Sequence, residues 1–271
     1  KYFNYSFNMI GIFDSGVGGM TVAHAVEQFC PGQALIYFGD LARTPYGSKS
    51  PAAIRRYVRQ NIDFLLAHGA RMIIIACNSA ASVAAEDMRR EFSVPIFDVI
   101  GPAVRRAVEI SSAASGRIGV IGTRATINSA VYPQKIGRIN QDLRVYGNEC
   151  PLLVPLVEEG WLNRRETRMI LRYYLRPLKM QQVDTLVLGC THYPLLRDLI
   201  QPRIGRRVRI VDSSIEVARE LRQYLAAHPE HGSTTGGSRF YVSDMTPAAA
   251  ATARRIFGRP IELEVQEAGH P

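Results

Sequence analysis

The sequence predicts an α/β fold of two pseudo-symmetric domains, each a mostly parallel sheet flanked by helices. Three observations carry this. Short runs rich in Val, Ile and Leu alternate with helix-like segments, the pattern of strands covered on both faces. Two of these runs end alike, residues 72–76 in Cys77-Asn78-Ser79 and residues 185–188 in Gly189-Cys190-Thr191-His192. The opening run, Met9-Ile10-Gly11-Ile12-Phe13 before Asp14-Ser15, is echoed by Arg117-Ile118-Gly119-Val120-Ile121 before Gly122-Thr123. The cysteines lie 113 positions apart (77 to 190) and the matching glycines 108 apart (11 to 119), so the echo keeps nearly one spacing.

In chain order, residues 9–13 read as a buried strand. The turn Asp14-Ser15-Gly16-Val17-Gly18-Gly19 follows, and Met20–Phe29 has helical character. The glycines lack the Lys-Ser/Thr ending of a phosphate loop and the G-x-G-x-x-G spacing, and an Asp at their head repels phosphate. They read instead as room for close backbone approach to something small. Residues 34–38 form a strand, and Gly39-Asp40 and Thr44-Pro45-Tyr46-Gly47 are turn formers. Pro51 opens a helix with the stripe Ile54, Val58, Ile62, Leu65 and Leu66, stopped at Gly69. After the strand before Cys77 come an Ala-rich helix over about 80–91, a short strand at 94–97, and a loop through Gly101-Pro102.

The second half starts with the strand at 117–123. A corner at Tyr132-Pro133, the segment 143–146, the stretch 150–160, a helix over 164–178 and the strand at 184–188 follow. Beyond residues 210–213 lie a helix over 217–225, a polar, Gly-rich loop at 228–237, a strand at 240–243 and a helix over Pro247–Phe257. A short apolar strand through Ile261, Leu263 and Val265 comes last, and this final group is placed to return to the first half. Ligands of such sheets bind beyond the carboxyl ends of the strands. Asp14-Ser15, Cys77-Asn78-Ser79, Thr123 and Cys190-Thr191-His192 all sit at such ends, so facing halves would bring both thiols to one cleft.

Composition sets the bounds. With 271 residues, 46% hydrophobic and 21% charged, the chain suits one large or two ordinary packed domains. No apolar run reaches the length of a membrane span, and the first eight residues, read as an extension outside the fold, have no signal-peptide core. Four cysteines (30, 77, 150, 190) are sparse for this length, which favours reduced thiols in the cytoplasm over a disulfide scaffold. No CxxC or HxxxH spacing points to a metal. The net charge of +9 comes from scattered arginines with no nucleic-acid motif beside them, and it reads as a generally basic surface.

The paired thiols suggest chemistry. An ordinary Cys has a pKa near about 8.5, and a helix N-terminus or cationic neighbour lowers it. Both cysteines precede predicted helices, and His192 lies two positions after Cys190. A thiolate on one side of a carbon and a thiol on the other can remove a proton from one face and deliver one to the opposite face. That inverts a stereocentre without a cofactor, and a pseudo-repeated chain supplies the like groups the symmetric reaction needs. The developing negative charge would be held by polar groups at the strand ends, with Asn78, Ser79, Thr123, Thr126 and Thr191 as the candidates. Either Cys alone would read as a small buried hydrophobe; the matched pair reads as functional. Asp14 suits a helix cap or the site about equally. Cys30 and Cys150 each precede Pro without a polar cluster and read as structural, and Glu158-Glu159 read as a solvated turn.

Taken together, these stretches resemble the glutamate racemase family, within the aspartate/glutamate racemase superfamily. The resemblance runs through Gly11-Ile12-Phe13-Asp14-Ser15-Gly16-Val17-Gly18-Gly19, Tyr37-Phe38-Gly39-Asp40 with Pro45-Tyr46-Gly47, and Ala76-Cys77-Asn78-Ser79-Ala80. It continues in Gly122-Thr123 with Thr126, Pro155-Leu156-Val157-Glu158 and Leu188-Gly189-Cys190-Thr191-His192-Tyr193-Pro194. It implies cofactor-independent interconversion of L- and D-glutamate, supplying D-glutamate for peptidoglycan. Cys77 and Cys190 would be the acid/base pair, with Asp14 assisting the first, His192 the second, and Glu158 near the second. Asp14, Ser15, Tyr46, Gly47, Asn78, Ser79, Thr123, Thr126, Thr191 and His192 would contact substrate. The implied architecture puts the active site between two domains, residues 9–99 with 212–271 and residues 100–211. The small-molecule partner would be glutamate, with no cofactor and no metal. A homodimer is left open, and neither membrane attachment nor nucleic-acid or gyrase binding is predicted. Ser79 departs from the Thr usual in the family; it keeps the hydroxyl and loses a methyl. The alternatives are a racemase of aspartate or a related acidic amino acid, and a basic-surfaced binding protein with structural or redox-sensing thiols. The ending His192-Tyr193-Pro194 resembles the glutamate branch.

Overall fold

The computed structural model describes residues 8–232 and 237–268. The expected extension over the first eight residues, Asn8 apart, and part of the polar loop at 228–237 therefore lie outside the described residues. The first half runs β1 (Met9–Asp14), α1 (Met20–Phe29), β2 (Leu35–Gly39), α2 (Pro51–Ala67), β3 (Ala70–Ile75), α3 (Asn78–Glu91), β4 (Ile96–Asp98) and α4 (Ile100–Ser112). The second runs β5 (Arg117–Gly122), α5 (Arg124–Asn128), α6 (Val131–Ile139), β6 (Arg144–Glu149), α7 (Leu153–Glu158), α8 (Arg165–Met180), β7 (Thr185–Gly189), α9 (Arg197–Ile204) and β8 (Arg209–Asp212). The chain then forms α10 (Ser213–Ala227), β9 (Arg239–Val242), α11 (Pro247–Phe257) and β10 (Glu264–Val265).

Two sheets result, in the orders β10-β9-β2-β1-β3-β4 and β6-β5-β7-β8, and every pairing is parallel. Parallel strands covered by helices bury both faces, which is why β1 and β7 are buried along their whole lengths. The echo in the sequence is an echo in space. In each half the opening strand has its successor on one side and the cysteine-bearing strand on the other: β1 lies between β2 and β3, and β5 between β6 and β7. The strand order reverses direction at these positions, where such sheets leave a crevice beyond their carboxyl ends. β9 pairs with β2, so the last part of the chain does extend the first sheet. Between the sheets, α4 and α10 pack on each other; α10 also lies on α1, and α4 lies against β7 and β8. Among the described residues no helix is long and apolar enough to cross a membrane.

Two local expectations are corrected. The segment through Gly101-Pro102 is the start of helix α4, not a loop. Asp98 explains why: its Oδ1 accepts the N–H groups of Ile100 (2.7 Å) and Gly101 (2.9 Å), and Pro102 lies in the first turn, where a missing N–H costs nothing. Tyr132-Pro133 likewise lies in the first turn of α6 instead of forming a corner. α3 begins at Asn78, directly after Cys77, two residues earlier than the alanines alone suggest.

Asp98 is buried, and its other oxygen takes Arg89 Nη2 at 2.5 Å. Asp98→Ala removes a helix cap and the buried carboxylate partner of Arg89, which keeps only the Ile96 carbonyl and Glu86. It should lower the unfolding free energy by about 2 kcal/mol. Urea denaturation would show this as a lower midpoint at unchanged slope, and an unchanged midpoint would rule out a capping role.

Candidate active site

Cys77 and Cys190 line one cleft, brought there from the two sheets by β3 and β7. Each is almost buried, at 6% exposure, and each is a free thiol. The cleft is narrow and is also walled by Ser15, Tyr46, Gly47, Asn78, Ser79, Thr123, Thr191 and His192. Three residues expected at the site stand behind these walls. Asp14 is fully buried and accepts hydrogen bonds from Gly16 N–H at 3.0 Å and from the Thr191 hydroxyl at 3.3 Å. Thr126 is buried behind Thr123, with the two hydroxyls 3.2 Å apart. Glu158 lies beyond His192, on the wall of an adjoining, mostly apolar recess at the mouth. Thr44, Pro45, Val154 and Gly189 complete the cleft. Sequence reading did not assign them to it: Val154 looks like any core residue of a short amphipathic helix, and Gly189 is visible only as the residue before a Cys.

Local structure sets each wall. Cys77 is the N-cap residue of α3, so its thiol stands beside the unpaired N–H groups of that helix's first turn. Its Sγ is 3.5 Å from Ser15 Oγ. Ser79 Oγ is 2.8 Å from Thr123 Oγ1, joining the walls from the two halves. Gly47 belongs to the same junction, since a Cβ there would come within 2.8 Å of Thr123 Cβ. Tyr46 is buried, with its hydroxyl donated to Asp40 and accepting from Asn61 Nδ2 at 3.1 Å. The glycine-rich turn does permit close approach, but what approaches is the other half of the protein. A Cβ on Gly18 would run into the His192 ring and lie 2.6 Å from Thr191 Oγ1.

The two thiols sit in unlike fields. Burial, then the neighbouring Asp14 carboxylate, push the Cys77 thiol up to about 12, against hydrogen bonds from Ser15 and Ala80 N–H. Cys77 therefore carries its proton at neutral pH. Asp14 is itself raised, mainly by burial, while the His192 charge and its hydrogen bonds pull the other way. Around Cys190 the neighbour is a cation. Burial works against a charged imidazole at His192, but hydrogen bonds to Cys190 and Glu158, together with their charges, outweigh it and push its pKa up to about 10. Nδ1 faces Cys190 Sγ at 3.8 Å and Nε2 faces Glu158 Oε1 at 3.2 Å. Cys30 and Cys150 are buried and do not line the cleft, and burial raises both thiols.

An imidazole whose pKa lies above the ordinary 6.5 is protonated below its raised value. Its contribution to stability is complete below about 6.5 and is lost as the pH rises through about 10. Ring-nitrogen NMR should find the His192 midpoint near 10 in the parent chain and lower in Glu158→Gln. An unmoved midpoint would remove Glu158 from this account.

Comparison with known proteins gives the family. The model of the Asp/Glu/hydantoin racemase family matches residues 20–221. A glutamate racemase of Geobacter metallireducens is 43% identical over 251 residues, covering 92% of each chain. A solved glutamate racemase isoform of Bacillus anthracis superposes with a TM-score of 0.92 at 32% identity, over 97% of this chain and 98% of that one. The glutamate racemase of Francisella tularensis, solved with D-glutamate, gives 0.89 at 32% identity, over 97% and 99%. The chain belongs to the Asp/Glu/hydantoin racemase family, on its glutamate racemase branch.

Proposed function

We propose that this chain interconverts L- and D-glutamate by proton transfer at Cα between Cys77 and Cys190, without a cofactor. The observation that carries the reading is the convergence of two thiols, from equivalent strand ends of two sheets, on one small polar cleft. Glutamate would lie with Cα between the sulfurs. One sulfur, as thiolate, takes the Cα proton, and the other, as thiol, returns a proton to the opposite face; the reverse reaction exchanges the roles. Negative charge then moves onto the α-carboxylate, where Ser15, Asn78, Ser79 and Thr191 supply donors fixed before the reaction starts.

Each thiol has its own auxiliary group. The imidazolium of His192, braced by Glu158, faces the Cys190 sulfur and can give or take a proton there. On the other side, the Asp14 carboxylate opposes ionisation of Cys77. A substrate ammonium placed between them would offset that charge, so ionisation of Cys77 would be easier once an amino acid is bound. Asp14 and Thr126 would then act from behind the wall, the first through its field and through Thr191, the second through Thr123. We place this chemistry in the cytoplasm, as a source of D-glutamate for peptidoglycan.

Solvent deuterium should wash in at Cα of both glutamate enantiomers without added cofactor. Cys77→Ala and Cys190→Ala should each lose racemisation by about 10²–10⁴-fold, the usual worth of a positioned acid or base. Slow exchange should survive for a single enantiomer in each variant. Full racemisation in either variant would defeat the two-thiol mechanism, and exchange with aspartate but not glutamate would replace the substrate. Gly18→Ala should displace the His192 ring and cost about 10²-fold in kcat/KM, the scale of a small misplacement. Activity equal to the parent would mean that the close approach at Gly18 has no part in catalysis.

A further inference from the structure

Tyr132, a residue outside the cleft wall, touches the loops of both cysteines. It is buried in the first turn of α6, at 1% exposure. One edge of its ring lies beside Gly189, the residue before Cys190; a Cβ built there would be 3.5 Å from ring carbon Cε2. Its hydroxyl reaches the other way and donates to Oδ1 of Asn78, the residue after Cys77, at 2.8 Å. The turn that delivers it passes through Ala130, which holds φ 54°, a conformation that costs a residue with a Cβ free energy and persists where the surroundings impose it.

The groups beyond Asn78 fix the directions of these hydrogen bonds. Ser213 Oγ donates to the Leu188 carbonyl at 3.2 Å. With its proton committed there, Ser213 presents only lone pairs to Asn78, so Asn78 Nδ2 is the donor across their 3.5 Å separation. The amide oxygen is thereby turned to Tyr132, which must donate. Burial pushes the Tyr132 pKa up, so that proton is retained. An amide nitrogen carries two hydrogens. One is aimed at Ser213, and the second is left for the cleft that Asn78 lines.

We infer that Tyr132 is a positioning residue for the racemase reaction. It holds Asn78 with an N–H towards the substrate and ties that residue, next to Cys77, to the backbone next to Cys190. Without the hydroxyl, the Asn78 oxygen has no donor. The amide is then free to turn its oxygen into the cleft, against the carboxylate it should grip. The effect falls mainly on substrate binding and is alike in both reaction directions. This inference rests on the glutamate-racemising reading of the cleft.

The test is a double-mutant cycle of Tyr132→Phe and Asn78→Ala, with Ser213→Ala as an independent entry to the same network. Glutamate binding is measured calorimetrically so that slow variants stay readable, with racemisation in both directions and thermal unfolding alongside. Tyr132→Phe should raise KM about 10-fold, the scale of one lost buried hydrogen bond, and change kcat less than 3-fold. In the Asn78→Ala background the same change should have no further effect on binding, since contacts that act through a shared partner are not additive. Ser213→Ala should behave likewise, and it decides the matter if Tyr132→Phe fails to fold. Equal losses in both backgrounds would overturn the proposal, as would a Tyr132→Phe enzyme identical to the parent. A parent chain inert towards glutamate would defeat the racemase reading itself, and that result is seen before any variant is compared.

Discussion

The close approach of Gly18 to His192 and Thr191 is the contact on which the cleft depends. It lies where the first turn of one half meets the second thiol's loop of the other, and no side chain fits between them. Through it, Thr191 reaches Asp14, and His192 is seated with one nitrogen towards Cys190 and the other towards Glu158. Thr21, three residues on from Gly18, adds a tie to the Thr191 carbonyl at 3.1 Å and to the Ser214 hydroxyl at 2.9 Å. A void at this point would let water reach the Asp14 carboxylate and the imidazolium, and would weaken the field each exerts on its neighbouring thiol.

Around that contact the sheets supply symmetry and the side chains remove it. Both thiols leave the sheet at equivalent strand ends, as a reaction run in both directions requires. Their companions differ: a carboxylate stands behind Cys77, and an imidazolium braced by a carboxylate stands beside Cys190. The first opposes negative charge on the Cys77 sulfur and the second sets a positive group on the opposite side, so the cleft is polarised across the reacting carbon. The bound amino acid, with an ammonium and a carboxylate on that carbon, is the kind of dipole such a field orients.

Much of this was legible in the sequence because parallel strands announce themselves as continuous apolar runs, and a Cys after such a run must lie at the sheet's edge. The α1 and α11 boundaries were read residue for residue. Helix α4 was not, because Asp98 caps it from two residues upstream and Gly101-Pro102 has the composition of a turn. Asp14 suited a helix cap or the site about equally; α1 takes Gly19 at its N-cap without a side-chain cap, and Asp14 instead accepts the turn's own Gly16 N–H while its charge acts on Cys77. Glu158 read locally as a solvated turn, and only the family resemblance of Pro155-Leu156-Val157-Glu158 put it near the second thiol. Its partner His192 is 34 positions away in sequence, and the contact itself forms where α7 meets the loop that follows β7. Tyr132 was hidden for the same reason, its hydroxyl bridging 54 positions to Asn78.

The return of the chain to the first sheet has a consequence for synthesis on the ribosome. β9 covers the open edge of β2. Ser243, just past β9, donates to Asp40, which in turn receives Tyr46 and Arg43 and so steadies the loop that carries Gly47. A nascent chain that has emerged only as far as β8 holds both cysteines and both central sheets. Its β2 edge is still unpaired, and the loop at the cleft lacks its anchor. The first sheet and the cleft loop are therefore completed only after both thiol-bearing strands have emerged, and a chain still lacking β9 is exposed to chaperones and proteases through that same edge.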